Sequence, residues 1–196
     1  MARRFEDKGN DMTDKIILDL CGGTGAWSKP YAGAGYDVRV ITLPEQDVRT
    51  YQPPADVYGV LAAPPCTEFS LAKGSLPRDF ESAIKTVDAC LKIIWQCRFR
   101  DKLAFWCLEN PKGFLRQFLG NPPMSVRYWQ FGDGMDKPTD LWGYFERPKR
   151  IYKQPPALLR DWNKIKAIQG SNGVSRAAVR AITPAGFAQA FFKANP

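Results

Sequence analysis

Residues 15–25, KIILDLCGGTG, place a short apolar run directly before a turn with three glycines. The run has the length and composition of a buried strand, and Gly22, Gly23 and Gly25 permit a tight turn into a helix that we expect from about Trp27. This order predicts an α/β fold in which backbone N–H groups at a helix N-terminus approach a nucleotide-like ligand, although glycine turns also occur for steric reasons alone. Because the spacing is not GxGxxG and no Lys-Ser or Lys-Thr pair follows, dinucleotide and triphosphate ligands are disfavoured.

Five more segments have the pattern of strands, and their order along the chain favours a mostly parallel sheet with helices on both faces. Apolar residues repeat at helical spacing over 80–95, and Asp79 is placed to cap that helix. A shorter helix is expected near 112–119, and Thr183 with Pro184 predicts the start of a C-terminal helix. The last two strands are expected to form an antiparallel hairpin at the sheet edge. The predicted strands are YDVRVIT (36–42), ADVYGVLAA (55–63), LAFWCL (103–108), SVRYWQF (125–131) and TDLWGYF (139–145).

The chain has 196 residues, enough for one domain with a substantial core, and a formal net charge of +8 without any histidine. The lack of imidazole excludes catalytic triads built on histidine, so any acid–base chemistry must use other groups. Positive charge is concentrated in residues 147–180, where nine Lys or Arg accompany a single acid, Asp161. This distribution indicates a polyanionic partner, and a solvated basic face is the alternative that charge alone leaves open.

The five cysteines, at positions 21, 66, 90, 97 and 107, are odd in number and include no CxxC spacing. Since the sequence also begins without a leader-like segment, we expect a reduced, cytoplasmic protein with neither a disulfide framework nor a metal site. No apolar run approaches the length of a membrane span, so we expect no membrane association.

The stretch PPCTEFS, residues 64–70, follows the predicted strand 55–63 and contains the first candidate for catalysis. Cys66 lies just past the carboxyl end of a buried strand, the edge where α/β sheets bind ligands, and two prolines stiffen its backbone. A cysteine in such a position is also common as inert packing. The loop 67–78 is expected to be mobile and to close over a substrate. Glu109 follows another buried strand and is expected at the same edge.

Four motifs in this order and spacing resemble the signature blocks of the C5-specific DNA cytosine methyltransferases: DLCGGTG (19–25), Asp47 after the second strand, PPCTEFS (64–70) and ENP (109–111). The resemblance is good over 15–112 and implies a Rossmann-like class I fold that binds S-adenosylmethionine. Because the chain is too short for the large target recognition domain of relatives, it resembles a compact, phage-type member. Cofactor contacts are implied for Asp19, Cys21, Gly22, Gly23, Thr24, Gly25, Trp27, Leu43, Asp47, Val48 and Pro64.

By this resemblance Cys66 is the nucleophile that adds to cytosine C6, and Glu109 supports the charge that develops at N3. These side chains suit the task, because a thiolate is intrinsically nucleophilic and a carboxyl group can share a proton with the ring. A base in duplex DNA would have to be flipped out of the stack. The family's Gln-x-Arg-x-Arg block is absent, and we assign its catalytic place to Lys137 and Thr139 in DKPT (136–139).

The implied partner is DNA, single- or double-stranded, bound by a single methyltransferase domain. We divide the domain into a flexible arm (1–13), a cofactor-binding and catalytic core (15–135), a basic loop-rich segment (146–182) and a C-terminal helix (183–196). A monomer is expected, with low base specificity or with specificity supplied by a partner protein. Nucleic-acid contacts are predicted for Ser70, Lys73, Arg78, Lys149, Arg150 and Lys153.

Two other functions are left open by the sequence. One is methylation of cytosine C5 in RNA, since a subgroup of the family modifies tRNA and a basic surface does not distinguish the two polymers. The other is a catalytically silent methyltransferase fold that binds nucleic acid. The presence of both Cys66 and Glu109 argues against a silent module, whereas the missing arginine block and specificity domain argue for it.

Overall fold

The computed structural model describes residues 14–100, 103–156 and 181–196, and six strands in these ranges form one sheet. The strands are β1 Ile16–Leu20, β2 Asp37–Ile41, β3 Val57–Ala62, β4 Phe105–Pro111, β5 Met124–Arg127 and β6 Pro138–Tyr144. Their spatial order is β2-β1-β3-β4-β6-β5. The first four are parallel, and β6 runs antiparallel between β4 and β5. The prediction of a Rossmann-like, mostly parallel sheet with an antiparallel edge hairpin is therefore confirmed.

Helices cover both faces of the sheet. They are α1 Lys29–Gly33, α2 Phe80–Arg100, α3 Arg116–Leu119 and α4 Ala185–Ala194. The core on one face joins β1, β3 and β4 to α2 and to residues around α3, and the core on the other face joins the sheet to α1 and α4. Each sheet face thus buries its apolar side chains under helices, as expected for a doubly wound fold.

The long helix α2 buries one apolar stripe and leaves an aromatic side chain outside it. Val87, Cys90 and Ile94 are fully buried in the core. Trp95, which the helical spacing placed on the core side, is 47% exposed, so that part of the prediction is wrong. Trp95 lies about 100° around the helix axis from Ile94, which places it outside the buried stripe. The predicted cap is confirmed, because the backbone N–H of Ser82 donates to Asp79 Oδ1 at 2.9 Å.

The C-terminal helix α4 begins one residue later than a Thr183 cap requires. Pro184 occupies the N-cap position, where it makes no side-chain hydrogen bond. The backbone N–H groups of Gly186 and Phe187 instead donate to the two carboxylate oxygens of Asp133, at 2.8 and 2.9 Å. A carboxylate that is distant in the sequence therefore accepts hydrogen bonds from the first N–H groups of α4, and the prediction of Thr183 as the cap is wrong.

Three other predicted elements are shorter than expected. The strand predicted over 125–131 ends at Arg127, and a 3-10 turn covers Tyr128–Phe131. Both Tyr128 and Trp129 are buried, which neighbouring positions in a one-sided strand do not allow. The helix predicted over 112–119 is reduced to α3. The helix α1 starts two residues after Trp27 and has only five residues, so α1 does not present an extended helix N-terminus to the glycine turn. The predictions for 1–13 and 157–180 lie outside the described residues.

Candidate active site

The sheet has a topological switch point between β1 and β3, because the chain leaves β1 for β2 on one side and then crosses to β3 on the other. Ligands of open α/β sheets bind in the crevice outside the carboxyl ends of the strands at such a point. The glycine turn follows β1, and Cys66 follows β3 by four residues. The backbone N–H of Ala63 donates to the Leu20 carbonyl at 2.9 Å, which holds the two strand ends side by side.

The glycine turn after β1 uses backbone conformations that few side chains tolerate. Cys21, Gly23 and Gly25 have φ angles of 56°, 57° and 68°. A Cβ at Gly22 would lie 2.4 Å from the carboxyl carbon of Asp19, so a side chain cannot be added there without movement. A Cβ at Gly23 would meet nothing within 4 Å, so the turn is open on that side. The turn therefore packs closely against Asp19 at Gly22 and leaves space for a ligand at Gly23.

Asp19 is a buried carboxyl group beneath this turn. Ser28 Oγ donates to its Oδ2 at 2.6 Å, and its Oδ1 has no hydrogen-bond partner among the described residues. Burial raises the pKa of Asp19 from 3.8 to about 6, against the opposing effect of the hydrogen bonds from Ser28. An acceptor oxygen is thus held inside the wall of the crevice without a donor from the described residues.

The Cys66 segment is fixed to the neighbouring strand. Asn110 Nδ2 donates to the Pro64 carbonyl at 3.0 Å, and this bond is buried. The Cys66 carbonyl accepts hydrogen bonds from the backbone N–H groups of Phe69 and Ser70, at 3.0 and 2.8 Å, which closes a turn. Cys66 is half-buried at the start of that turn. The backbone before Cys66 is therefore fixed by the hydrogen bond from Asn110 of β4, and the backbone after it is fixed by its own turn.

The same strand pairing places Glu109 beside this segment. β3 and β4 are parallel, with Ala62 opposite Leu108, so the residues that follow them leave the sheet at one edge. Glu109 is 5% exposed, and its Oε2 has no hydrogen-bond partner in the part of the chain that the structure describes. The sequence prediction that Cys66 and Glu109 share the carboxyl edge of the sheet agrees with this pairing, while their catalytic roles stay predictions.

Glu109 belongs to a group of buried polar side chains on one sheet face. Leu141 and Thr139 of β6 lie opposite Glu109 and Pro111, and cross-strand partners share a face. Thr139 is fully buried, and its hydroxyl donates to the Lys137 carbonyl at 3.2 Å. Two positions before Thr139, Lys137 is expected on the same face, and it is only 5% exposed. The residues assigned in place of the missing arginine block therefore lie next to Glu109, and we call Glu109, Lys137 and Thr139 the Glu109 wall.

Tyr128 completes this group, and no pattern in the sequence indicated it. Its side chain is fully buried, and the Lys137 ammonium lies 5.7 Å from its ring centroid. Burial and then the charge of Glu109 raise the pKa of Tyr128 well above its usual value, so the phenol is a neutral group close to that carboxylate. Asn110 was also not predicted as a site residue, although it stands next to Glu109 in the ENP motif.

The loop 67–78 is held by internal contacts. Lys73 Nζ donates to Glu68 Oε1 at 2.6 Å, and the Asp79 N–H donates to Glu68 Oε2 at 2.8 Å. The Arg78 guanidinium donates to the Ser70 carbonyl at 3.0 Å and to the carbonyls of Glu68 and Gly74. These contacts hold the loop around Glu68, and its closure over a substrate stays a prediction. Lys73 and Arg78 both have protein partners, and their contact with phosphate stays a prediction.

The segment after β2 holds the other residues predicted to touch a cofactor. Leu43 is 63% exposed, and Val48 is buried. The Asp47 carboxylate accepts from the backbone and side chain of Arg49, both at 2.9 Å, and the hydrogen bond from that side chain lowers the pKa of Asp47. Trp27 is different, because its ring is buried under α4, 5.3 Å from the ring of Phe191. The structure therefore places Trp27 in the core, and its contact with a cofactor stays a prediction.

The predicted nucleic-acid residues near the C-terminal side lie on the segment 147–153, which is exposed except at Pro148 and which we call the basic strap. The strap follows β6 and runs along β5, where Arg150 Nη2 donates to the Ser125 carbonyl at 2.9 Å. Its far end is held by the Gln130 carbonyl, which accepts from the N–H groups of Ile151 and Tyr152 at 2.9 and 3.1 Å. Gln130 belongs to the same 3-10 turn as Tyr128, so the strap leads toward the Glu109 wall. Lys149, Arg150 and Lys153 are exposed along it.

Other features of the described residues do not add a site at this edge. A surface cavity of about 290 Å³ lies between Val48 and α2, and another of about 620 Å³ lies beside Arg39 and Glu45. Neither is lined by Cys66 or Glu109. No group of three or more His, Cys, Asp or Glu side chains within 14–100, 103–156 and 181–196 could hold a metal ion. Across these ranges, every helix is too short or too polar to cross a membrane.

Comparison with known proteins gives little beyond the fold. No protein-family model matches the sequence, and no curated protein matches it. A solved E. coli structure described as a "putative DNA modification methyltransferase" encoded within a prophage is similar, with a TM-score of 0.49 and 16% sequence identity. The match covers 66% of this chain and 46% of that chain, so this chain spans about half the length of that protein.

Proposed function

We propose that the protein transfers a methyl group from S-adenosylmethionine to carbon 5 of cytosine in DNA. The observation that supports this most directly is the pairing of the Cys66 and Glu109 segments at the carboxyl edge of the sheet. Adjacent parallel strands bring them there, and the 3.0 Å hydrogen bond from Asn110 to the Pro64 carbonyl joins them. A nucleophile and a buried carboxyl group beside a switch-point crevice are what covalent catalysis on a ring requires.

The residues around the glycine turn fit S-adenosylmethionine. When bound, this cofactor supplies an electrophilic methyl group on a sulfonium centre. Gly23 leaves open space at the turn, and Asp19 Oδ1, which has no partner in the described part of the chain, is an acceptor beneath it. We propose that the cofactor is held by Asp19, Cys21, Gly22, Gly23, Thr24, Gly25, Leu43, Asp47, Val48 and Pro64. Trp27 stays a proposed contact as well, although its ring is buried, as are Asp19 and Val48.

Cys66 would act on the cytosine ring. Carbon 5 of cytosine is a weak nucleophile until a group adds at C6, and a thiolate makes this addition well. The new Cys66–C6 bond moves an electron pair toward C5, which can then accept the methyl group. Loss of the C5 proton and departure of the thiolate restore the aromatic ring and the enzyme. The defined backbone around Cys66 would keep the sulfur in place during both steps.

Glu109 would support the charge that develops in the ring as the thiolate adds. Its carboxyl group can donate or share a proton at N3. General acid catalysis of this kind typically raises the rate by about 10²–10⁴-fold. Burial strengthens this interaction because little water competes with it. We propose that Lys137 and Thr139, in the same wall, keep Glu109 in position in place of the missing arginine block.

The DNA surface would include the basic strap. Lys149, Arg150 and Lys153 are exposed on it and can neutralise phosphates without disturbing the core. The strap ends beside the turn that contains Tyr128, so DNA bound along it would approach the Glu109 wall. The target base must leave the stack to reach Cys66, and Ser70, Lys73 and Arg78 would border it on the opposite side.

Methyl incorporation tests the proposal. The protein would be incubated with radiolabelled S-adenosylmethionine and, in parallel, with duplex DNA, single-stranded DNA and tRNA. We expect label in DNA, located at cytosine C5, and none with Cys66→Ala, whereas the matched variant Cys97→Ala should stay active. Label in tRNA alone would favour the RNA alternative. Absence of label from all three polymers, or DNA labelling by Cys66→Ala, would contradict the proposal.

A further inference from the structure

Two cysteines away from Cys66 lie against each other at the base of the glycine turn. The Sγ atoms of Cys21 and Cys90 are 4.0 Å apart, although 69 positions separate the residues in the sequence. Cys21 is half-buried in the turn after β1, and Cys90 is buried on α2. The pair therefore connects the first residue of the turn to the middle of the longest described helix.

The contact makes the two sulfurs chemically different. The hydrogen bond with Cys90 lowers the pKa of the Cys21 thiol, while burial and the charges of Asp19 and Asp47 oppose this change. The same hydrogen bond, with burial, raises the pKa of Cys90 well above its usual value. Since the thiolate is the reactive form, Cys21 is the member of the pair that would react first with an oxidant, and Cys90 is placed to react second.

We propose that Cys21 and Cys90 form a modifiable dithiol that controls the cofactor turn, an inference that rests on the function proposed above. Hydrogen peroxide is the oxidant. The Cys21 thiolate attacks one peroxide oxygen, which gives a sulfenic acid and, after protonation of the leaving hydroxide, water. The Cys90 sulfur then attacks the sulfenic sulfur, and its proton leaves with the hydroxyl group as a second water. Two electrons pass from the thiols to the peroxide, and a disulfide links the turn to α2.

Bond formation would displace the turn rather than the helix. A disulfide is about 2.05 Å long, so the two sulfurs must approach by about 2 Å. Cys90 lies within a 21-residue helix packed in the core, whereas Cys21 has a φ of 56° and precedes Gly22 and Gly23. Binding sites tolerate displacements of only about 0.5 Å. We therefore expect the displaced turn to lose at least one hydrogen bond to the charged cofactor, which weakens binding about tenfold.

Peptide mapping and calorimetry of the full chain test this inference. After treatment with hydrogen peroxide, mass spectrometry without reductant should show a Cys21–Cys90 linked peptide. The S-adenosylmethionine Kd should then rise about tenfold, and dithiothreitol should reverse both changes. Cys90→Ala and Cys21→Ser should each abolish the linked peptide, and Cys90→Ala should keep its affinity after oxidation. Cys97→Ala is the matched control, two turns further along α2 and equally buried, and it should respond like the unmodified protein.

Two results would overturn the inference: no linked peptide after oxidation, or a linked peptide with an unchanged Kd. Failure of the proposed function looks different. In that case the reduced protein would not bind S-adenosylmethionine at all, even though the linked peptide could still be found.

Discussion

Replacing Asp19 by Asn is expected to remove a pH dependence from the stability of the protein. Asp19 is fully buried, and burial raises its pKa from 3.8 to about 6. A carboxyl group with a higher pKa in the folded chain binds its proton more tightly there than in the unfolded chain. Its contribution to the free energy of unfolding is therefore greatest at low pH, falls as the pH rises between these two pKa values, and then stays constant.

The size of the effect follows from the two pKa values. A rise from 3.8 to about 6 corresponds to about 3 kcal/mol. The free energy of unfolding of the unmodified protein, minus that of Asp19→Asn, should fall by this amount with increasing pH. Most of the change should occur between about pH 4 and pH 6.5. Ser28→Ala should move the midpoint to higher pH, because the hydrogen bonds from Ser28 lower the pKa of Asp19.

Urea unfolding followed by circular dichroism at a series of pH values measures this difference. Asp47→Asn is a useful control, because the hydrogen bond from Arg49 lowers the pKa of Asp47 and its contribution should have the opposite sign, being lost as the pH falls. A difference for Asp19→Asn that is flat across the pH range, or that grows with pH, would refute the reasoning about its burial.

Three further predictions concern catalysis, DNA binding and the glycine turn. Glu109→Gln should lower kcat by about 10²–10⁴-fold with little change in DNA affinity, measured by methyl incorporation and fluorescence anisotropy, and an equal loss of both would contradict its role. Lys149→Ala and Arg150→Ala should each reduce the slope of log K against log salt by about 1, and a salt-independent affinity would place the DNA surface elsewhere. Gly22→Ala should destabilise the fold by about 1–3 kcal/mol and weaken cofactor binding, because the new Cβ would lie 2.4 Å from the buried carboxyl carbon of Asp19. An unchanged free energy of unfolding would contradict this and show that the turn adapts.

Each of these variants has a matched control. Glu81→Gln changes an exposed carboxylate at the start of α2 and should leave kcat unchanged. Lys92→Ala removes an exposed ammonium that pairs with Asp88 on α2, away from the basic strap, and should keep the salt slope. Gly33→Ala adds a Cβ in α1 with nothing within 4 Å, so stability should be kept or slightly improved.

The parallel part of the sheet could be predicted from the sequence because its signals are local. Apolar runs of strand length end at glycine or proline turns, and such runs give β1, β3 and β4 at nearly their observed positions. The order of these strands then places the turns after β1 and β3 at one crevice. For this reason the sequence alone predicts that the Cys66 segment and Glu109 lie at the same edge of the sheet.

The parts that the sequence did not predict depend on distant contacts. Asp133 caps α4 from 53 positions away, and the local pattern suggested Thr183 instead. Tyr128 lies in a stretch that alternates like a strand, and only the packing of its neighbours shows that it turns into the wall beside Glu109. The sequence shows no partner for Lys73 and Arg78, because Glu68 contacts them only in the folded loop.

Covalent trapping tests the central role of Cys66 most directly. A duplex with 5-fluorocytosine at the target position would be incubated with the protein and S-adenosylmethionine, because fluorine at C5 cannot leave as a proton does and the Cys66–C6 bond then persists. We expect a DNA–protein adduct that resists denaturation and maps by mass spectrometry to Cys66, with none formed by Cys66→Ala. An adduct on another residue, or no adduct with any cytosine context, would contradict the account.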